Sequence, residues 1–160
     1  MENSSYVVAS RKVVVVGTGY VGSSIAYALT VRNLAREIVL IDIDKRKAEG
    51  EAWDIRNGIS GMSSAVVYAG DYCDVIDSDL IIITAGRNRH PAETRLNMIE
   101  DNSRIMKSVV NNIMKFYTRG VILVVSNPVD ILVSLCNHWM RLPKGRILGT
   151  GCILDSSRMI

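Results

Sequence analysis

Two patterns of apolar residues alternate along the chain. Short, nearly unbroken runs rich in Val and Ile cover Lys12–Val16, Glu37–Asp42, Ala65–Ala69, Leu80–Thr84, Val121–Ser126 and Arg146–Leu148. Between them, Tyr20–Arg32, Lys45–Asn57, Arg95–Tyr117 and Val129–Met140 carry their apolar residues at helical spacing. Runs such as Val13-Val14-Val15-Val16 and Ile81-Ile82-Ile83 lack polar alternation, so they predict strands covered on both faces. Strands of that kind separated by helices predict an α/β fold, a doubly wound parallel sheet of about six strands. In the longest helix Met98, Ile99, Ile105, Met106, Val109, Ile113 and Met114 form a stripe that reads as core packing.

The size is that of one ordinary domain, 160 residues and 17.6 kDa. With 48% hydrophobic and 22% charged residues, 12 Gly and 3 Pro, the chain is neither disordered nor collagen-like. Residues 1–10 are polar and read as a flexible start to a domain covering 11–160. Lys and Arg exceed Asp and Glu by 19 to 16, and the net charge of +3 forms no basic tract. Nucleic acid is therefore not expected as a partner. No apolar run approaches the roughly 18 residues that span a bilayer, so no membrane association is expected either. Cys73, Cys136 and Cys152 form no C-x-x-C pair and no metal-ligand spacing with His90 or His138. A reducing, cytoplasmic setting without a metal is the expectation.

Chemistry concentrates at the ends of the predicted strands. Gly17-Thr18-Gly19-Tyr20-Val21-Gly22 follows four valines and opens a helix, the context in which a G-x-G-x-x-G turn binds a dinucleotide. Gly17 would permit the tight turn, Gly19 the approach of a pyrophosphate, and Gly22 close packing of helix on strand. The helix N-terminus would offer its N–H groups and dipole to the phosphates. Asp42 ends the second strand, about 20 residues on, where a carboxylate accepts both hydroxyls of an adenosine ribose and repels a 2'-phosphate. That favours NAD over NADP, although Lys45, Arg46 and Lys47 stand close by in sequence. A plain strand-to-helix turn, with Asp42 initiating the next helix, is the alternative.

After the fourth strand, Arg87, Arg89, His90 and Arg95 share a loop. Guanidinium forks suit an anionic substrate, and the position at a strand end favours that over a merely solvated loop. By pattern alone Asn127 caps a helix whose first residue is Pro128. Asp155 and Arg158 either face one cleft or form a cap with a surface ion pair.

In order, Gly17 to Gly22, Asp42, Thr84-Ala85-Gly86, Glu93-Thr94-Arg95-Leu96-Asn97, Ser126-Asn127-Pro128-Val129-Asp130 and Gly149-Thr150-Gly151 to Arg158 resemble the L-lactate/malate dehydrogenase family. The resemblance covers nearly the whole chain from about Arg11. It implies a Rossmann fold with sheet order 3-2-1-4-5-6, NAD as hydride carrier, a 2-hydroxy or 2-oxo acid as substrate, and a homo-oligomeric parent. Cofactor contacts are implied at Gly17, Gly19, Tyr20, Val21, Gly22, Asp42, Lys47, Tyr72, Thr84, Ala85, Gly86, Arg87, Ser108, Val125, Asn127 and Thr150. Arg95 would polarise the substrate carbonyl from a closing loop, and Asn127 would hydrogen-bond its oxygen. Arg158 would grip the substrate carboxylate, while Asp155 would orient the catalytic histidine.

Three departures qualify the resemblance. The family's histidine lies in a Gly-Glu-His-Gly-Asp-like segment beyond the Arg158 motif, and the sequence stops at Ile160. Neither His90 nor His138 occupies a matching position, so the expectation is a domain that binds dinucleotide without turnover, its catalytic partner domain absent. Second, Arg89 stands six residues before Arg95, where lactate-type members place Gln and malate-type members Arg. The surrounding motifs look lactate-like, which makes a lactate-type scaffold with malate preference the expectation. Third, Ile160 replaces the Arg found in sugar-bisphosphate-activated members, which weakens any expectation of such activation. The rival readings are a stand-alone, non-catalytic NAD-binding or regulatory module and an NAD-dependent glycosidase of related fold.

Overall fold

The alternation of buried apolar runs and amphipathic segments yields, in a computed structural model, twelve elements across the described residues, 11–59, 61–87, 95–151 and 153–157. They run β1 (Lys12–Val16), α1 (Tyr20–Val31), β2 (Glu37–Ile41), α2 (Lys45–Gly58), β3 (Val66–Ala69), a 3-10 turn (Tyr72–Val75), β4 (Leu80–Ile83), α3 (Arg95–Met114), β5 (Val121–Val124), α4 (Val129–Met140), β6 (Ile147–Gly149) and α5 (Ile153–Ser157). The sheet has the order β3-β2-β1-β4-β5-β6 with every pairing parallel. This is the Rossmann arrangement expected from the sequence.

Side chains of a strand alternate between faces, and the two faces carry separate cores. Val14, Val16, Val39, Ile41, Ile81, Ile83, Ile122 and Val124 pack with Met106, Ile113, Leu132 and Cys136 of α3 and α4. Val13, Val15, Ile38, Leu40 and Ile82 pack on the other side with Ala26 of α1 and Ala48, Ala52 and Ile55 of α2. Burial on both faces is the reason β1, β2 and β4 read as unbroken apolar runs, whereas β3 and β6 at the sheet edges leave Val66 and Leu148 exposed. The α3 stripe is core in its middle, with Met106 and Ile113 fully buried, but Met114 turns outward at 37% exposure.

Element ends differ from the sequence reading in ways that matter for the site. The ladders of β2, β4 and β5 stop short of Asp42, Thr84 and Ser126, whose polar side chains bond to neighbouring loops instead. Helix α3 closes at Met114 rather than Tyr117, where the Lys115 and Phe116 N–H groups turn to carbonyls three residues back, Asn112 O at 3.4 Å and Ile113 O at 3.0 Å. The unforeseen 3-10 turn is held by a capping box in which Asp71 N–H donates to Asp74 at 2.9 Å. Asn127 does not cap α4. Pro128, extended at φ −78 and ψ 117, occupies the cap position itself and lacks a side-chain acceptor, so Val129 is the first helical residue. The Asn127–Pro128 peptide is cis. Acidic Asp130 in the first turn supplies charge complementary to the helix dipole.

Among the described residues no helix is long and apolar enough to cross a membrane, and no cluster of His, Cys, Asp or Glu has the geometry of a metal site. Cys73 and Cys136 are free thiols, and burial raises the Cys136 thiol to about 11. Cys152 and residues 1–10 lie outside the described residues.

Candidate functional site

With all strands parallel, the loops leaving β1, β2, β4 and β5 gather at one end of the sheet, where open α/β folds bind their ligands. Gly17 adopts φ +99, a conformation that L side chains rarely take, and a Cβ there would also meet Ala85 N at 2.6 Å. A Cβ on Gly22 would overlap the Gly17 carbonyl oxygen. Gly19 is different. Its φ of −69 suits any residue, and a Cβ would find nothing within 4 Å. The fold itself therefore requires two of the three glycines, and the third leaves open space at the N-terminus of α1. That helix has no side-chain cap and no acidic residue in its first turn. Tyr20 and Val21 are exposed there. The cradle has the vacancy, the N–H donors and the dipole that a diphosphate needs.

Asp42 stands beside this cradle, half-buried. Its Oδ2 accepts from the Thr18 N–H at 2.7 Å and the Thr18 hydroxyl at 2.9 Å, and its Oδ1 accepts from the Asp44 N–H at 3.0 Å. Burial pushes its pKa up. The hydrogen bonds from the Thr18 and Asp44 backbones and the Thr18 hydroxyl, with the charge of Lys47, outweigh burial and hold it below the ordinary 3.8. Asp42 is thus a charged acceptor with a lone pair to spare on Oδ1. Helix initiation falls to Asp44, whose carboxylate accepts from the Lys47 N–H at 3.3 Å. Lys45 is paired with Asp71 at 2.8 Å. Tyr72 is half-buried, and burial together with the Asp42 charge raises its pKa, keeping the phenol neutral.

Neighbouring loops are laced together by side chains. The Thr84 hydroxyl donates to Gly17 O at 2.7 Å and the Ser126 hydroxyl to Ala85 O at 2.7 Å. Asn102 of α3 accepts from the Arg87 N–H at 2.9 Å and donates to Asn127 O at 2.8 Å. The Arg87 guanidinium rests on Asp101, with Nε at 2.8 Å from Oδ2. Sequence reasoning gave no role to Thr18, Asn102 or Ser126, which are all buried.

Of the other anticipated residues, Asn127 and Gly86 are exposed at the strand ends and Ala85 is half-buried. Thr150 N–H donates to Val124 O at 3.2 Å, prolonging the β5–β6 pairing by one bond. Val125 packs against the core on the α1 and α2 side, and Ser108 is exposed on α3. Arg95 opens α3 and Asp155 lies within α5, but their side chains, like all of Arg89, His90 and Arg158, fall outside the described residues. His138 is exposed in the last turn of α4, at the opposite end of the sheet. A depression of about 220 Å³ lined by Arg11, Asn33, Leu34, Ala35, Arg36 and Ser64 also lies at that opposite end. Helices α1 and α4 begin at the other end, so their dipoles favour no anion in this depression.

A family model described as the NAD binding domain of lactate/malate dehydrogenase matches residues 11–149. The chain is 46% identical to L-lactate dehydrogenase 2 of Enterococcus faecalis over 152 residues, covering 94% of this chain and 48% of that protein. It is 48% identical to L-lactate dehydrogenase of Priestia megaterium over 149 residues, 93% of this chain and 47% of the relative. The crystal structure of minor L-lactate dehydrogenase from Enterococcus mundtii in its ligands-bound form superposes with a TM-score of 0.87 at 45% identity, over 91% of this chain and 47% of that one. The chain thus spans about half the length of the curated relatives it matches. Glycine turn and sheet order agree with the family match over most of the chain, which belongs to the lactate/malate dehydrogenase family as its NAD-binding domain.

Proposed function

We propose that this domain serves an NAD-dependent L-2-hydroxyacid dehydrogenase that interconverts a 2-hydroxy acid and a 2-oxo acid. The observation that carries the reading is the vacant space over Gly19 beside a charged Asp42, a cradle shaped for a dinucleotide. When bound, NAD supplies or accepts the hydride. The backbone from Gly17 to Gly22 holds the diphosphate, and Asp42 accepts the adenosine ribose hydroxyls while repelling a 2'-phosphate. Tyr72, Lys47, the Thr84 to Arg87 segment, Ser108, Val125 and Thr150 would complete the set of residues that hold the cofactor. Asn127 donates to the substrate carbonyl oxygen, Arg95 stabilises charge developing there, and Arg158 pairs with the carboxylate in a two-pronged contact. Asp155 orients a histidine supplied by the parent. On the same resemblance the parent is cytoplasmic and homo-oligomeric.

Substrate choice falls to Arg89. The names of the relatives support lactate, but Arg89 offers a cation where a second carboxylate would lie. Closing it over the methyl group of pyruvate leaves the cation unpaired, at a cost on the order of several kcal/mol if fully buried. We therefore infer a lactate-type scaffold with malate and oxaloacetate preferred. In the parent enzyme kcat/KM for oxaloacetate should exceed that for pyruvate by about tenfold or more, equivalent to about 1.4 kcal/mol, and Arg89→Gln should reverse the order. A parent that prefers pyruvate with Arg89 in place refutes this specificity. A parent with no turnover of either acid favours the non-catalytic NAD-binding module.

A further inference from the structure

We propose that Asn102 is a positioning residue that fixes the gap between the loops following β4 and β5, and with it the seat of the nicotinamide end of the cofactor. The inference rests on the function proposed above. The β4–β5 ladder ends at Ile83 opposite Val124, and the Val125 and Ser126 N–H groups make the last main-chain bonds, both to Ile83 O. Beyond that point the two chains part, one through Gly86 and Arg87, the other through Asn127 into α4. Asn102, only 3% exposed, bridges them. Its Oδ1 accepts from the Arg87 N–H at 2.9 Å, and its Nδ2 donates to Asn127 O at 2.8 Å.

The buried amide needs both bonds. The first helical bond of α4 runs from the Leu132 N–H to Pro128 O at 3.1 Å, which leaves Asn127 O one residue before the helical ladder. Asn102 itself is too buried to turn to water, and an unpartnered buried amide is costly, so the bridge is strongly preferred over two open ends. A carboxamide accepts with one atom and donates with the other, whereas a carboxylate only accepts. Gly86 packs directly on the amide, where a Cβ would meet Asn102 Oδ1 at 3.4 Å. Asp101, the preceding residue, holds the Arg87 side chain, so consecutive residues of α3 fix Arg87 by both main chain and guanidinium. The proposed hydride transfer requires the nicotinamide to lie against the substrate carbon, and therefore against Asn127. Asn102 sets the height of that seat while touching neither ligand.

Adenosine diphosphate ribose lacks the nicotinamide and reports only on the Asp42 and Gly19 half of the site. Calorimetry with NADH and with adenosine diphosphate ribose on this chain, on Asn102→Ala and on Asn102→Asp separates the two halves. The wild-type chain should bind NADH at least about tenfold more tightly than the fragment. Both variants should lose most of that advantage, falling below about threefold, while affinity for the fragment stays within about twofold of wild type. Asn102→Asp keeps the shape of the side chain and its acceptor toward Arg87, and carries the test if Asn102→Ala does not fold. A retained advantage in a folded variant, parallel weakening of both ligands, or a wild type that does not distinguish them overturns the positioning role. A wild-type chain that binds neither ligand overturns the proposed function instead, and this inference with it.

Discussion

At Gly22 a methyl group would overlap the Gly17 carbonyl, whereas at Gly19 it would stand in open space. Gly22→Ala should therefore lower the Tm and abolish NADH binding together. Gly19→Ala should part the two. Its cost as a helix cap and its benefit in restricting the unfolded chain are each about 0.5–1 kcal/mol and opposed, so thermal unfolding should barely move. NADH affinity should nevertheless fall by about tenfold or more as the methyl group invades the diphosphate cradle. A stable Gly19→Ala variant with unchanged affinity would show that the vacancy is not the cofactor's. Asp42 gives a second residue-scale outcome. Its folded pKa lies below 3.8, so its contribution to stability is complete above that value and is lost as pH falls through the folded pKa. Wild type should show this acid limb in unfolding titrations, and Asp42→Asn should lack it. The glycines and Asp42 were legible because their chemistry needs those residue types at that spacing. Thr18 was not, since a residue between two glycines reveals its partner only when burial forces one.

Apolar periodicity located the central strands because double-sided burial leaves β1, β2 and β4 no other pattern, and the long helices by their buried stripes. Leu132, fully buried on α4, meets the strand face carrying Ile122 and Val124, while its neighbour Ile131 is 41% exposed. Leu132→Ala should cost about 2–5 kcal/mol, read as a shift of the urea midpoint, and Ile131→Ala well under half as much. Equal losses would mean that α4 does not present the face described. Element ends were less readable, because Asp42, Thr84 and Ser126 extend the strand pattern while their side chains serve adjacent loops. The cap assigned to Asn127 failed on the proline after it, which takes the cap position without offering an acceptor. Asn102 did leave a trace in the sequence. It falls in register with Met98, Ile105, Met106 and Val109, a polar residue on an otherwise apolar stripe, where burial obliges it to find partners.

Taken as a whole, the described residues assemble the glycine turn, Asp42 and the loops after β4 and β5, while the side chains proposed to meet substrate, Arg89, Arg95 and Arg158, fall outside them. The 160-residue chain should bind NADH more tightly than NADPH in calorimetry, because Asp42 keeps its charge toward the ribose. It should reduce no 2-oxo acid, since His138 lies at the wrong end of the sheet and His90 matches no catalytic position. Tighter NADPH binding would refute the cofactor assignment, and measurable turnover would refute the catalytic one. The fold class followed from the rhythm of the chain alone, but the strand order needed the family resemblance, because periodicity does not say which strands are neighbours. That order has one more consequence, for synthesis of the chain. β2 adds to one edge of β1 and β3 to β2, then β4 takes the other edge of β1, followed by β5 and β6 outward. Each strand after β1 can therefore add to a free edge as it leaves the ribosome, and none has to be wedged between two partners that have paired.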